Sequence, residues 1–167
     1  VAKPDIQFSD ANSRATVTLP IQKNQQYVIR EIRFTGDVIE AAQEELSGVK
    51  TDLAGQPYFP RQKFALQKRV HQIYGSLGYP DVLVSINETN AGQQTDVIFD
   101  TSITSGPQVT IATIQIEGNE RTRDQFIISR LHLKPGDTFS LDKKQSSFRA
   151  LYRTGLFSTV DISLSGA

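Results

Sequence analysis

The chain of 167 residues contains no cysteine. Disulfides, thiolate metal sites and cysteine nucleophiles are therefore excluded within it. Apolar runs are also short, and none approaches the roughly 20 residues that a membrane-spanning helix needs. Eighteen basic and eighteen acidic residues cancel, so the chain has no net field that would steer it to nucleic acid or to an anionic membrane surface.

Patterns that carry catalysis or bind metals are scarce. The two histidines, His71 and His132, are far apart in the sequence and have no motif around them. The carboxylates of Glu44 and Glu45 diverge by about 100° on a helix, which predicts a solvated helix face rather than an acid and base pair. No nucleophile elbow and no phosphate-binding glycine loop occurs. We therefore expect no enzyme activity, no cofactor and no metal site.

Two parts of the chain are similar to each other. Residues 27–36 align with residues 109–118, so that three apolar positions and a closing glycine fall in register. Residues 55–58 align in the same way with residues 136–139. Internal similarity at a fixed spacing is typical of repeat proteins. The sequence therefore predicts two copies of one structural unit.

The spacing of apolar residues changes in the same order within each copy. The elements predicted for the first copy are strand 27–36, helix 38–46, a second helix from Pro60 to Leu77 that Gly78 closes, and strands 82–88 and 96–102. Residues 47–56 are predicted as a loop. The elements predicted for the second copy are strand 109–118, helix 123–131, a helix with Ser140 at its N-cap and strand Val160–Leu164. The predicted unit is strand, helix, helix, strand, strand.

This order divides the chain into three parts. Residues 1–24 are predicted to be the terminal hairpin of a preceding repeat, residues 25–107 a complete repeat, and residues 108–167 a repeat without its last strand. We call residues 25–107 the first segment and residues 108–167 the second segment. The chain is accordingly expected to be an excised soluble piece that begins and ends inside repeats.

Four motifs resemble POTRA domains, the polypeptide-transport-associated repeats of outer-membrane assembly proteins of the BamA and TamA type. They are IEGN (Ile116–Asn119), LKPGDTFS (Leu133–Ser140), LYRTGLFSTVDISL (Leu151–Leu164) and LGYPDVLVSI (Leu77–Ile86). The resemblance implies an α+β fold of tandem repeats, each a three-stranded mixed sheet covered by two helices. It also implies a periplasmic arm, attached to the outer membrane through a β-barrel outside the chain, with unfolded outer-membrane protein clients and accessory assembly proteins as partners and no nucleic acid.

The same resemblance implies where a client binds. In the family the strand after the second helix is a free edge, and it holds an extended client by β-augmentation. The residues of this candidate client-binding edge are Val82, Leu83, Val84, Ser85, Ile86, Asn87 and Glu88. The residues of a possible second edge are Val160, Asp161, Ile162, Ser163 and Leu164. A groove beside the second helix near His71, Gln72 and Gly75 is a further candidate surface.

Other interpretations fit the sequence as well. The alternating strand at Val82–Glu88 is also compatible with a half-buried strand that binds no client. The arm is then a passive spacer or a docking scaffold for accessory proteins. POTRA-like modules of two-partner secretion, cell-division and plastid envelope proteins give a further alternative. The basic residues of both second helices indicate helix faces that are exposed to solvent. The alternative is that these residues bind an anionic partner.

Overall fold

The computed structural model of the chain describes residues 5–8, 15–18, 25–90 and 95–165. The elements in chain order are strands β1 (Asp5–Phe8), β2 (Ala15–Thr18) and β3 (Val28–Gly36), helices α1 (Gln43–Leu53) and α2 (Arg61–Ser76), strands β4 (Leu83–Asn90) and β5 (Asp96–Thr104), and helices α3 (Asp124–Ile128) and α4 (Leu141–Tyr152). Strands β1 and β2 form an antiparallel pair near the N-terminus. Residues 9–14, between β1 and β2, and residues 91–94, between β4 and β5, lie outside the described residues.

Three strands of the first segment form a mixed sheet in the order β3-β5-β4. The central strand, β5, runs parallel to β3 and antiparallel to β4. Parallel strands need a long connection between them. The chain between β3 and β5 provides it, because it contains both helices and β4. The predicted α+β fold with a three-stranded mixed sheet and helices is confirmed.

The core of the first segment lies between the helices and one face of the sheet. Alternate residues of β5 face the helices, and they include Phe99 and Ile103, which are 0% and 1% exposed. Val70 and Tyr74 of α2 belong to the same buried cluster. Burying one large apolar side chain contributes about 1.5–3 kcal/mol, so this single layer of contacts holds the sheet and helices together.

The first helix is longer than its predicted range. The sequence indicated a helix over residues 38–46 followed by a loop over 47–56, whereas α1 runs from Gln43 to Leu53 after a 3₁₀ turn at Glu40–Ala42. Ser47 and Gly48 are poor helix formers and suggested the loop. Leu46 and Val49 are nevertheless buried, because they face the core at helical spacing, and their burial outweighs the local propensity.

The second segment has the predicted helices but not the predicted strands. Its first helix, α3, is limited to Asp124–Ile128, and Ser140 caps α4 by accepting a hydrogen bond from the Lys143 backbone N–H. Within the described residues, the stretches 109–118 and 160–164 are not regular strands. In the first segment both outer strands pair with a strand between them. No described residue takes that place in the second segment, so its two outer stretches have no ladder to join.

The two segments share a pattern of backbone hydrogen bonds beside their first stretch. In the first segment the N–H of residue 29 donates to O of residue 56, that of 55 to O of 29, and that of 58 to O of 27, at 2.9, 2.8 and 2.7 Å. In the second segment the same three bonds join residues 111 and 137, 136 and 111, and 139 and 109, at 2.9, 2.7 and 2.8 Å. The aligned residues therefore have the same local structure in both segments.

Backbone contacts also join the two segments. The Val109 N–H donates to the Gly78 carbonyl at 2.8 Å, and the Gln108 side chain donates from Nε2 to the Leu77 carbonyl at 3.0 Å. Both acceptors lie just after α2, where a helix leaves carbonyls without internal partners. We call this contact, between Leu77–Gly78 and Gln108–Val109, the joint. It attaches the start of the second segment directly to the end of α2.

The central strand contains one buried hydroxyl that offers a stability test. Thr101 is 0% exposed, and its Oγ1 has no hydrogen-bond partner among the described residues. An unsatisfied buried hydroxyl costs about 1–3 kcal/mol, so Thr101→Val is expected to raise the free energy of unfolding by about 1 kcal/mol in urea denaturation. The control Thr104→Val, on the exposed end of the same strand, should change it by less than about 0.5 kcal/mol. A lower free energy of unfolding in Thr101→Val would contradict the conclusion that the Thr101 hydroxyl has no hydrogen-bond partner.

Candidate edge-strand binding site

Strand β4 lies at an edge of the sheet. It pairs with β5 over its whole length, from Leu83 opposite Thr104 to Asn90 opposite Val97, and no described strand lies on its other side. An edge strand presents N–H and C=O groups that a further extended chain can pair with. The structure therefore places the predicted candidate strand at the position that β-augmentation requires.

The side chains of β4 alternate as predicted. Val84 and Ile86 face the helices and are buried, as is Val82 just before the strand begins. Ser85 and Asn87 face the open side of the sheet and are exposed, and Leu83 is 69% exposed. Val84 and Ile86 are therefore buried in the core, and the backbone edge of β4 and the face with Leu83, Ser85 and Asn87 are available to a partner.

One backbone acceptor of β4 is already engaged by the chain itself. The side-chain amide of Gln67, on α2, donates from Nε2 to the Val84 carbonyl at 3.1 Å. Residues two apart in an antiparallel strand point their backbone groups the same way. We infer that the backbone groups of Val84 and Ile86 face away from β5. A client at this edge then meets a Gln67 amide that competes for one acceptor.

The C-terminal end of β4 is held by side chains from other elements. The Tyr58 hydroxyl donates to Glu88 Oε2 at 2.7 Å, and Lys63 Nζ lies 3.5 Å from Glu88 Oε1. The hydrogen bond to Glu88 raises the pKa of Tyr58 above its ordinary value of 10.0. The stabilisation from this contact is therefore fully present below pH 10.0 and is lost as the pH rises through the raised pKa of Tyr58. We call the part of β4 before these contacts, Leu83–Asn87, the open stretch.

The further surface was predicted in the groove between β4 and the second helix, near His71, Gln72 and Gly75, and the structure places Gln72 and Gly75 elsewhere. Gly75 packs against α4, since a β-carbon there would lie 3.1 Å from Leu141 Cδ2. Gln72 lines a groove on the side of α1, together with Glu45, Gly48, Val49, Arg69, Ile73, Ser76 and Asp142. The residues of α2 that face β4 are instead Lys63 and Gln67, four positions apart on the helix, a relation that the sequence did not single out.

The possible second edge, Val160–Leu164, lies alongside α4. Val160 and Ile162 are half-buried and Asp161 and Ser163 are exposed, so the predicted alternation is present although the stretch is not a regular strand. Leu164 is 47% exposed. Val160, Asp161 and Ile162 line one side of a groove, and residues of α4 line the other side. It is therefore a different kind of surface from β4, which has a paired neighbour.

Several basic side chains on the helices contact acidic or aromatic groups of the chain. Arg69 Nη2 lies 2.9 Å from Asp52 Oδ2, and Lys143 Nζ lies 3.5 Å from Asp137 Oδ2. The Arg61 guanidinium lies over the Phe59 ring at 5.3 Å. Such exposed pairs contribute little stability. They favour the solvated helix face over the alternative of an anionic partner.

No group of three or more histidine and acidic side chains in the described residues is placed to hold a metal ion. None of the helices in the described ranges is long and apolar enough to cross a membrane. The groups that the β4 edge exposes are backbone donors and acceptors, with the side chains of Ser85 and Asn87 beside them.

Most of the second segment matches the model of a known family. Residues 109–166 match the POTRA model, which is described as a surface antigen variable number repeat. Over these residues the chain is similar to the POTRA family. The matched POTRA residues include the helix α4 and the stretch Val160–Leu164, and they extend over the motifs IEGN and LKPGDTFS on which the resemblance was based.

Curated relatives that the chain matches are named outer membrane protein assembly factor BamA. The protein of Nitratidesulfovibrio vulgaris is 26% identical over 98% of this chain, and that of Neisseria meningitidis serogroup B is 24% identical over 93%. The chain spans about a fifth of the length of these relatives, 21% and 20% respectively. The chain is thus similar to one part of each of these proteins.

Solved structures share the POTRA fold of the chain. POTRA3-5 of Haemophilus influenzae BamA superposes with a TM-score of 0.70 at 20% identity, over 96% of this chain and 63% of that one. BamA of Haemophilus ducreyi lacking POTRA domains 1-3 gives a TM-score of 0.73 at 24% identity, over 82% of this chain and 26% of that one. At these identities the likeness establishes the fold alone.

Proposed function

We propose that this POTRA chain belongs to the periplasmic arm of an outer-membrane β-barrel assembly protein, where the edge of β4 holds unfolded client polypeptides by β-augmentation. The parent protein carries its membrane β-barrel outside these residues. The observation that carries the proposal is the open stretch Leu83–Asn87, which has a paired strand on one side only. The name of the relatives, assembly factor, supports the same role.

The proposed site recognises an extended backbone rather than a particular sequence. Its free groups are main-chain donors and acceptors, and the side chains next to them, Ser85 and Asn87, are small and polar. Each main-chain hydrogen bond contributes about 1 kcal/mol net. An edge of five residues therefore binds weakly, with a dissociation constant above about a micromolar. Weak binding suits a site that receives a client and passes it on.

Photo-cross-linking tests the proposal with a matched pair of positions. Ser85 on β4 and Ser102 on β5 lie opposite each other in the register and are both exposed. A photoreactive residue at position 85 should form several-fold more adducts with an unfolded outer-membrane protein than the same residue at position 102, because β4 is an edge strand whereas β5 is paired on both sides. Equal yields from the two positions would rule out binding at the edge.

The second candidate function is a docking scaffold for accessory assembly proteins. It is favoured by the contacts that already occupy part of the edge, namely Gln67 at the Val84 carbonyl and Tyr58 at Glu88. In the same experiment this function predicts adducts from position 85 with folded periplasmic proteins and none with the unfolded client. The two functions are therefore separated by the identity of the cross-linked partner.

The proposal includes the division of the chain into repeats. Residues 1–24 are assigned to the end of a preceding POTRA repeat, residues 25–107 to one whole repeat and residues 108–167 to the next. The hydrogen bonds that recur between residues 27–58 and 109–139 support this division. The pairing of β1 with β2 fits a terminal hairpin.

A further inference from the structure

Two exposed apolar side chains lie beside the edge of β4. Phe64 of α2 is 71% exposed and Leu83 of β4 is 69% exposed, the two largest fractions among the large apolar side chains of the described residues. Neither side chain belongs to the buried core cluster or packs against it. A single exposed apolar side chain is common on protein surfaces, so what distinguishes this pair is its position beside one free edge.

The side of α2 that carries Phe64 faces the space beyond β4. Gln67 marks the part of α2 that reaches this edge, because its amide donates to the Val84 carbonyl. Residues three apart on a helix lie about 60° apart around its axis. Val70, which is 0% exposed, is therefore on one side of Gln67, and Phe64 is on the other side, away from the core. A strand added about 4.8 Å beyond β4 then has its helix-facing side chains toward Phe64.

The contacts between α2 and β4 also give the level of Phe64 along the strand. Lys63 Nζ lies 3.5 Å from Glu88 Oε1, and Gln67 Nε2 lies 3.1 Å from the Val84 carbonyl. The helix and the strand therefore run in opposite directions. Phe64 comes between Lys63 and Gln67 in the helix, so it is level with the part of the strand between these two contacts.

Leu83 lies on the opposite face of the sheet. Side chains alternate along a strand, so Leu83 faces the open side, whereas Ile86, midway between the two contacts, faces the helices. Directly opposite residues of neighbouring strands have their side chains next to each other on one face. A client residue opposite Ile86 therefore points toward Phe64, and a client residue opposite Leu83 lies beside Leu83.

We propose that Phe64 and Leu83 bind two apolar side chains of the client, one on each face of the added strand. This rests on the proposed function, because an extended chain paired with β4 places side chains beside both residues. The two client positions are three residues apart, the separation between Leu83 and Ile86. The edge then prefers a pattern of apolar positions in addition to recognising the backbone, and many unfolded sequences satisfy that pattern.

Two peptides of the same composition test the proposal. Both consist of threonine and serine with two leucines, which are three positions apart in the first peptide and two positions apart in the second. Leucines two apart lie on one face of a strand, so the second peptide reaches only one of the two apolar side chains. In NMR titrations of the whole chain, the first peptide is expected to bind about fivefold more tightly, because it buries one more apolar contact.

Two substitutions and one control locate this preference. In Phe64→Ser, and separately in Leu83→Ser, the two peptides should bind equally, because each variant leaves one apolar contact for either peptide. Both side chains are exposed, so neither substitution should disturb the fold. Leu156→Ser removes a side chain that is 60% exposed in the second segment, and it should leave the preference unchanged.

The outcomes distinguish this proposal from the proposed function. Equal affinity of both peptides for the unmodified chain, with chemical-shift changes at Leu83–Asn87, would overturn the role of Phe64 and Leu83 and leave binding at the edge intact. Absence of shift changes at Leu83–Asn87 with either peptide would overturn both. A preference that persists in both serine variants would also overturn the role of these two residues, since other side chains would then provide it.

Discussion

Replacing Ile86 by proline is expected to weaken the binding of an unfolded client peptide at least about tenfold. We infer that the Ile86 N–H faces away from β5, since the Val84 carbonyl two residues earlier accepts a hydrogen bond from Gln67. Proline removes this donor and fixes φ. A loss of about 1.4 kcal/mol, roughly one main-chain hydrogen bond and part of its neighbour, corresponds to a factor of ten in affinity.

The matched control for this variant is Ile86→Ala. Ile86 is buried, so both substitutions lose the same core packing, at a cost of about 2–4 kcal/mol of unfolding free energy. Only proline also removes the N–H. Isothermal titration with an unfolded outer-membrane protein segment should therefore find binding retained in Ile86→Ala and weakened at least about tenfold in Ile86→Pro, with the fold of each verified by circular dichroism. Equal binding by the two variants would show that the β4 backbone is not the contact.

The second large effect is expected at the joint. Gly78 has φ of 98°, a conformation that costs other residues about 1–2 kcal/mol. A β-carbon there would also overlap the Thr138 methyl group and lie 3.0 Å from Gln108 Cγ. Overpacking adds about 1–3 kcal/mol, so Gly78→Ala is expected to lower the free energy of unfolding by about 3 kcal/mol in urea denaturation, and to shift the second segment relative to the first.

Gly155 provides the control for backbone strain without a clash. It follows α4 as Gly78 follows α2, with φ of 67°, and within the described part of the chain a β-carbon there meets nothing within 4 Å. Gly155→Ala should therefore cost only about 1 kcal/mol. Residual dipolar couplings measured on both variants should change the relative orientation of the segments in Gly78→Ala alone. Equal costs for the two substitutions would mean that the joint is not tightly packed.

The first segment was predictable because its elements carry strong local signals. Alternation at Val82–Glu88 and at residues 96–102 indicates strands, and the apolar stripe of α2 between Pro60 and Gly78 indicates a helix of the observed length. Together with the resemblance to POTRA domains, these signals gave the order of elements and the mixed sheet. The extent of α1 was not predicted, because Ser47 and Gly48 have low helix propensity. The helix is stabilised instead by the burial of Leu46 and Val49 in the core.

The strands of the second segment could not be predicted from their own residues. Alternation at Val160–Leu164 is as regular as in β4, and Ile111, Ile114 and Ile116 repeat the apolar positions of β3. A strand, however, exists only through hydrogen bonds to a neighbour. Whether a neighbour is present is a property of the assembled sheet, and no local pattern reports it.

The details of the candidate site depend on contacts between residues far apart in the sequence. The bond from Gln67 to the Val84 carbonyl spans 17 positions, and that from Tyr58 to Glu88 spans 30. Sequence patterns located the edge strand but not the side chains of Tyr58 and Lys63, which contact Glu88 near its C-terminal end. They also placed Gln72 and Gly75 on the wrong side of α2, because an apolar stripe fixes which face is buried and leaves the neighbours of the other faces open.

The most direct measurement of the central claim is an amide NMR titration of the unmodified chain with an unfolded segment of an outer-membrane protein. Chemical-shift changes are expected to concentrate on Leu83–Asn87 and on the Gln67 side-chain amide, which the client displaces from the Val84 carbonyl. The opposite strand, β3, and the open face of β5 should remain unperturbed. Shifts that leave Leu83–Asn87 unchanged while the client binds elsewhere on the chain would contradict a role for the β4 edge.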